Sequence, residues 1–205
     1  MKFKESSNRN LSLVKLFGAF FIMYSASYRK RIFDVGVSIF LIFLLSPLLI
    51  MIGLYIIFSD GRPIFFISKR MKTSETSFKI LKFRTMKQGS DDGNATGGNK
   101  NSLITRSGSY LRKYRLDELP QLFNIIKGDM SFVGPRPPLE KYVPLYPEIY
   151  QKILISRPGV TGLASIYMSD YEDRVLSGID DQTEVEVKYI SCCLKKKAKL
   201  GLGIS

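Results

Sequence analysis

Residues 35–58 read VGVSIFLIFLLSPLLIMIGLYIIF, a run of 24 residues without a charge. A helix of that length reaches across a hydrocarbon core of about 30 Å, so the run is expected to hold the chain in a membrane. It starts late and ends without a small-residue cleavage site, which argues against a cleaved signal peptide. Ser46-Pro47 falls at its middle. Proline removes one backbone hydrogen bond and kinks a helix, and a neighbouring serine hydroxyl can satisfy a carbonyl freed by the kink. Arg29, Lys30 and Arg31 precede the run, and Arg62, Lys69 and Arg70 follow it. Cations collect on the cytoplasmic side of a membrane, and here both flanks carry them. A re-entrant helix over 29–60, broken at Ser46 and Pro47 and returning to the face it left, satisfies both ends. Residues 11–24 are apolar but too short to span and include Lys15, so 1–28 is expected to lie along the interface.

Composition narrows the chemistry. Lys and Arg number 31 against 18 Asp and Glu, a formal charge of +13. That balance fits nucleic acid, anionic lipid or phosphorylated substrates without choosing among them. The 14 Phe and 11 Tyr argue against disorder, because they need burial or an interface. There is no histidine, which excludes Ser-His-Asp and Cys-His devices and imidazole metal ligands. The two cysteines, Cys192 and Cys193, are adjacent; they make no disulfide framework and suit a reducing compartment.

The rest of the chain, 61–205, reads as one small α+β domain, mostly helical with short strands. Residues 63–67 and 78–83 are predicted strands across a polar turn, and 91–100 (DDGNATGGNK) a loop. Residues 102–114 are a predicted helix. A second helix is expected over 117–126, with Asp117 near its N-cap and Pro120 in its first turn. Residues 134–138 (GPRPP) should be extended and stiff. An amphipathic helix interrupted by Pro144 and Pro147 follows over 139–156, then a loop over 157–162.

The densest set of chemical groups is RKYRLDELPQLFNIIKGDMSFVGPRP, residues 112–137. Asp117 and Glu118 are neighbours, placed on a helix about 100° apart, so they would divide labour rather than share a proton. Arg112, Lys113 and Arg115 lead in and Arg136 follows, and arginine matches phosphate oxygens with paired donors. Alone, an Asp-Glu pair is usually a helix cap. Beside a membrane run, in a chain without histidine, the set favours phosphate chemistry without naming a reaction.

Six blocks resemble the bacterial sugar transferase family: Lys30-Arg31-x-Phe33-Asp34, Ser46-Pro47, Lys82-Phe83-Arg84-Thr85-Met86, Leu116-Asp-Glu-Leu-Pro-Gln-Leu122, Lys127-Gly-Asp-Met-Ser-Phe-Val-Gly-Pro-Arg-Pro137 and Arg157-Pro-Gly-Val-Thr-Gly162. They run in order from about residue 29 to 165, and the two long central blocks are specific. The resemblance implies a small monotopic phosphoglycosyl transferase, anchored by a helix broken at Ser-Pro in the bacterial inner membrane, with its site on the cytoplasmic face. The implied reaction moves a sugar-1-phosphate from a UDP-sugar to polyprenol (undecaprenyl) phosphate, with Mg²⁺. It implies that Asp117 is the nucleophile, forming a phosphosugar-aspartyl intermediate, and that Glu118 holds the metal. Lys82, Arg84, Arg112, Arg136 and Arg157 would bind substrate. Membrane lipids are expected partners, nucleic acid is not, and a homodimer is left open. The chain departs from the family pattern at Ser68-Lys-Arg-Met-Lys72, where only Arg70 is kept, and after Gly162. The competing reading is a catalytically impaired membrane scaffold for glycan-assembly proteins. A basic nucleic-acid binder explains the charge but not the apolar run. The lysines of 195–199 are read as a membrane-surface or solvated end.

Overall fold

The computed structural model describes residues 28–87, 89, 103–179 and 181–201. The interfacial reading of 11–24 and the loop reading of 91–100 lie outside the described residues.

The apolar run forms helix α1, Tyr28–Asp60, about 50 Å long at 1.5 Å per residue if straight. Pro47, at the expected break, sits within the helix. The reason is local. Pro47 lacks the N–H that would bond the Phe43 carbonyl, and Ser46 Oγ donates to that same carbonyl at 2.8 Å. The freed acceptor is satisfied and helical backbone continues past it. Around this point Phe40, Phe43, Leu44, Ile50 and Met51 are exposed. The helix is long and apolar enough to cross a membrane.

Both ends of α1 are fastened to the body that follows. Near its start, Lys30 Nζ donates to Ser131 Oγ at 2.7 Å and to the Val133 carbonyl at 2.9 Å. Ser131 Oγ lies 2.8 Å from Asp34 Oδ2. Lys30, Asp34 and Ser131 are all buried, and a buried charge survives only when paired and hydrogen-bonded. Arg31 reaches the carbonyls of Ile125 and Ile126 at 2.6 and 2.8 Å, acceptors that a helix C-terminus leaves open. At the other end, Arg84 donates to the carbonyls of Asp60, Gly61 and Arg62 at 2.6, 2.7 and 2.9 Å. The Ser107 hydroxyl donates to the Asp60 carboxylate.

Strands β1 (Phe65–Met71) and β2 (Ser77–Phe83) pair antiparallel, with Phe65 opposite Phe83 and Met71 opposite Ser77. The first strand begins two residues later than the sequence suggests and runs further, to Met71. Helix α2, Arg106–Lys113, is capped by Thr105, whose side chain accepts from the Gly108 N–H at 3.0 Å. A Cβ on Gly108 would collide with the Thr85 backbone, so this residue must be small for α2 to sit against the strand exit. Helix α3, Gln121–Lys127, is locked to β2 by one amide. Asn124 accepts from the Leu81 N–H at 2.9 Å and donates to the Lys79 carbonyl at 2.8 Å, standing in for an edge partner. Phe78 and Ile80 pack beneath it on Leu122, Ile125 and Met130.

Strands β3 (Ser131–Val133) and β4 (Gly159–Thr161) pair in parallel. The sequence reading leaves 157–162 as loop, so β4 is a correction. The pairing rests on close backbone approach: a Cβ on Gly134 or Gly159 would run into the other's backbone. Instead of one interrupted helix over 139–156 there are a 3₁₀ turn, Glu140–Leu145, and helix α4, Pro147–Ile153. Helices α5 (Leu163–Leu176), α6 (Gln182–Lys188) and α7 (Lys195–Gly201) complete the chain, α6 joined to α7 through a π-helical turn, Tyr189–Leu194. Tyr142, Tyr150, Leu154, Val185, Tyr189 and Cys193 belong to the largest buried apolar cluster. Of the lysines of 195–199, Lys195, Lys196 and Lys199 are exposed, while Lys197 pairs with Glu172 at 2.7 Å and Ala198 is buried.

Candidate active site

Asp117 and Glu118 stand in a 3₁₀ turn, Leu116–Glu118, rather than in the expected helix. Arg115 before it is left-handed (φ 56°), and Pro120 occupies the N-cap position of α3. Those two residues separate the turn from both neighbouring helices. In a 3₁₀ turn successive side chains diverge by about 120°, slightly more than in an α-helix. Leu116 and Leu119 pack on the cluster of Ile52, Ile56, Phe83 and Leu111, leaving the two carboxylates to the remaining faces of the turn.

Three cations converge on them. Lys82 Nζ donates to Glu118 Oε1 at 2.7 Å, and Arg136 Nη2 reaches the same oxygen at 3.2 Å. Burial alone would push the Glu118 carboxyl up, but Lys82 and Arg136 outweigh it and hold the carboxyl at about 2. Asp117 behaves oppositely. Its carboxyl is raised, by burial first, and Glu118 adds to the rise while Lys82 and Arg112 oppose it. Two adjacent carboxylates are thus driven apart, a pattern found where they take different roles. Arg112 is oriented by its Nε–H, which donates to Thr85 Oγ1 at 3.0 Å.

Of the residues singled out by sequence, Asp117, Glu118, Lys82, Arg112 and Arg136 come together. Arg84 does not join them. It has its guanidinium on the three carbonyls of 60–62, so it fastens the exit of α1 instead of reaching for substrate. Arg157 feels Lys30 and Arg31 at the entry of α1. Ser46 and Pro47 lie within the exposed stretch of α1. Sequence reasoning gave no role to Thr85, Asp34 or Ser131, although all three lie inside the quoted motif blocks. It also missed Glu172 and Lys197. This half-buried pair places a positive charge close enough to Arg136 for the guanidinium to depress the Lys197 amine, after burial.

Among the described residues no group of three or more acidic or sulfur ligands gathers to cage a metal. Mg²⁺ does not require one, since it is usually held by one or two carboxylates together with substrate phosphates. Both cations bind Glu118 through Oε1, which leaves Oε2 as an ionised oxygen donor beside Asp117. That donor set fits a hard cation shared with a diphosphate.

The description "Bacterial sugar transferase" belongs to the family whose profile matches residues 25–195. The exopolysaccharide production protein ExoY of Rhizobium meliloti (strain 1021) is 42% identical over 153 residues, covering 67% of this chain and 68% of that protein. The undecaprenyl-phosphate galactose phosphotransferase of Salmonella typhimurium is 35% identical over 170 residues, 74% of this chain and 36% of that longer protein. The UDP-glucose:undecaprenyl-phosphate glucose-1-phosphate transferase of Escherichia coli (strain K12) is 32% identical over 165 residues, 78% of this chain and 36% of that protein.

Proposed function

The chain belongs to the bacterial sugar transferase family, and from that membership we propose that it transfers a sugar-1-phosphate from a UDP-sugar to polyprenol phosphate through Asp117. The single observation that carries this reading is the Asp117–Glu118 turn, with Lys82, Arg112 and Arg136 set around two carboxylates of opposite pKa shift.

The diphosphate of the UDP-sugar meets Lys82, Arg112 and Arg136, whose charge offsets the repulsion between Asp117 and an anionic substrate. An Asp117 carboxylate oxygen attacks the β-phosphorus. The bond from that phosphorus to the bridging oxygen breaks, and UMP leaves with the electron pair. A phosphate oxygen of the polyprenol phosphate then attacks the same phosphorus, breaks its bond to Asp117 and restores the carboxylate. Neither step needs a proton, which agrees with a site without histidine. A carboxylate nucleophile divides one difficult transfer into two easier ones. Mg²⁺, held by Glu118 and the diphosphate, would supply electrostatic relief for charge on the departing UMP.

In the same reading α1 enters the cytoplasmic membrane and returns to the cytoplasmic face. Support comes from its two ends, both fastened to one body through Lys30, Arg31 and Arg84. Anchorage supplies proximity to an acceptor that stays in the bilayer. The impaired-scaffold alternative draws no support from the relatives' names. The test is UMP release by the purified protein with Mg²⁺, polyprenol phosphate and a panel of UDP-sugars. Lipid-dependent release with one sugar supports the transferase and names its donor. No release with any sugar from folded protein contradicts it.

A further inference from the structure

Arg136 is held more loosely than Lys82. One of its N–H groups reaches Glu118 Oε1 at 3.2 Å, against 2.7 Å for Lys82, and its side chain is the more open of the two. The chain just after it is anchored: Leu139 and Tyr142 are buried in one cluster with Tyr189, Cys193 and Ala198, and the Tyr142 and Tyr189 rings lie 5.6 Å apart. Glu172 of α5 stands in this neighbourhood. Both its carboxylate oxygens accept from Lys197 Nζ of α7, at 2.7 and 2.9 Å. We propose that Lys197 is a positioning residue for Arg136: by occupying Glu172 it keeps that carboxylate from drawing the guanidinium off Glu118 and the donor's diphosphate. The inference rests on the transferase reading above and adds a residue to that reaction.

Charge and proximity carry the argument. The Lys197 amine, lowered by burial first, feels Glu172 and Arg136 together with opposite sign. So does the Tyr189 phenol, which burial raises first, with Glu172 adding to the rise and Arg136 opposing it. Lys197 Nζ also lies over the Tyr189 ring, 5.9 Å from its centroid. Arg136 therefore shares its surroundings with two carboxylates, Glu118 and Glu172, and only Glu118 belongs to the site. Arginine pairs with a carboxylate through two parallel N–H donors, so a bare Glu172 would compete for it. Lys197 opposes that in two ways. It engages both oxygens of Glu172, and its own charge repels the guanidinium. Both partners lie beyond Gly162, where the chain departs from the family pattern.

The test measures UMP release by the full chain in detergent, with Mg²⁺, undecaprenyl phosphate and the donor sugar that the panel above identifies. Lys197→Met leaves Glu172 bare, and the UDP-sugar KM is expected to rise about tenfold. The double variant Glu172→Gln/Lys197→Met removes the competing carboxylate as well, and its KM should return to within about twofold of the wild type. Lys197→Arg, which still holds Glu172, should stay close to the wild-type KM. A purely structural role for the pair predicts the opposite order, with the double variant at least as impaired as Lys197→Met. That order, or a KM unmoved by Lys197→Met, would overturn the proposal. Should Lys197→Met not fold, Lys197→Gln takes its place, with a rise of about threefold and the same rescue expected. Failure of the wild type to release UMP with any donor would instead strike the transferase reading, so the two failures are distinguishable.

Discussion

Lys82 Nζ lies 2.7 Å from Glu118 Oε1, and both side chains are largely withdrawn from solvent, with 18% and 10% of their surface exposed. Arg136 shares the same oxygen but is more open, at 36%. The lysine is therefore the main partner that keeps Glu118 ionised inside the domain. Lys82→Met leaves a buried carboxylate with one half-exposed cation, and removing one member of a buried pair costs about 3–5 kcal/mol. The expected outcome is a marked fall in denaturation midpoint, together with a Glu118 pKa that rises from about 2. The midpoint measured against pH should show a smaller acid-induced loss between about pH 4.5 and 2 in the variant, because that loss comes from the gap between the unfolded and folded Glu118 pKa, which has narrowed. An unchanged midpoint would show that the pair contributes nothing.

Asp117 should cost stability in the ionised form. Its folded-state pKa is raised, by burial first, so the folded protein holds that proton more tightly than the unfolded chain does. Stability then declines as pH rises from the ordinary aspartate value through the folded one, and the full penalty is present above that folded value. Asp117→Asn removes it. Thermal unfolding is expected to shift upward by a few degrees at neutral pH, with the gain shrinking toward pH 4. Because attack needs the carboxylate, wild-type turnover should fall on acidification earlier than for an ordinary aspartate. A lower melting temperature for Asp117→Asn at neutral pH contradicts this account.

Arg84 separates the motif reading from the geometry. Its position in the Lys82-Phe83-Arg84 block suggests phosphate, yet its donors go to three backbone carbonyls at the exit of α1. Arg84→Ala strands those acceptors, at about 1–3 kcal/mol for a buried group left unsatisfied. The prediction is a loss of stability with the UDP-sugar KM moved by about twofold at most. A tenfold rise in that KM with unaltered stability would return Arg84 to the substrate site.

The proposed re-entry of α1 rests on its two attachments. With Cys192 and Cys193 replaced, single cysteines at positions 29 and 62 should both react with a membrane-impermeant thiol reagent from the cytoplasmic side only. Reaction of the two from opposite sides would contradict re-entry. Ser46→Ala leaves the Phe43 carbonyl without the hydroxyl that now satisfies it, and a lowered thermal stability in membranes is the expected result.

What the sequence made legible was set by signal length and chemistry. The uncharged run of 35–58 and the strands around Phe65 and Phe83 carry their periodicity locally, so their type was readable. The carboxylate pair and its cations sit within short, specific blocks. By contrast, β3 and β4 are three residues each and pair across 28 positions, from Ser131 to Gly159; no local pattern marks such a contact. The sequence around Asp117 reads as helix because Arg115 gives no hint of its left-handed backbone. The C-terminal lysines read as a membrane-surface or solvated end; Lys195, Lys196 and Lys199 are exposed, but nothing local shows that Lys197 meets Glu172 or that Cys193 is fully buried. Tertiary packing decided all three.

The most direct test of the central claim is mass spectrometry of the protein after incubation with its UDP-sugar and Mg²⁺, without acceptor. The account predicts one added sugar-phosphate on the peptide carrying Asp117, stoichiometric UMP, and discharge of the adduct by polyprenol phosphate. Asp117→Asn should form none. An adduct on Glu118, or acceptor-dependent turnover retained in Asp117→Asn, would contradict it.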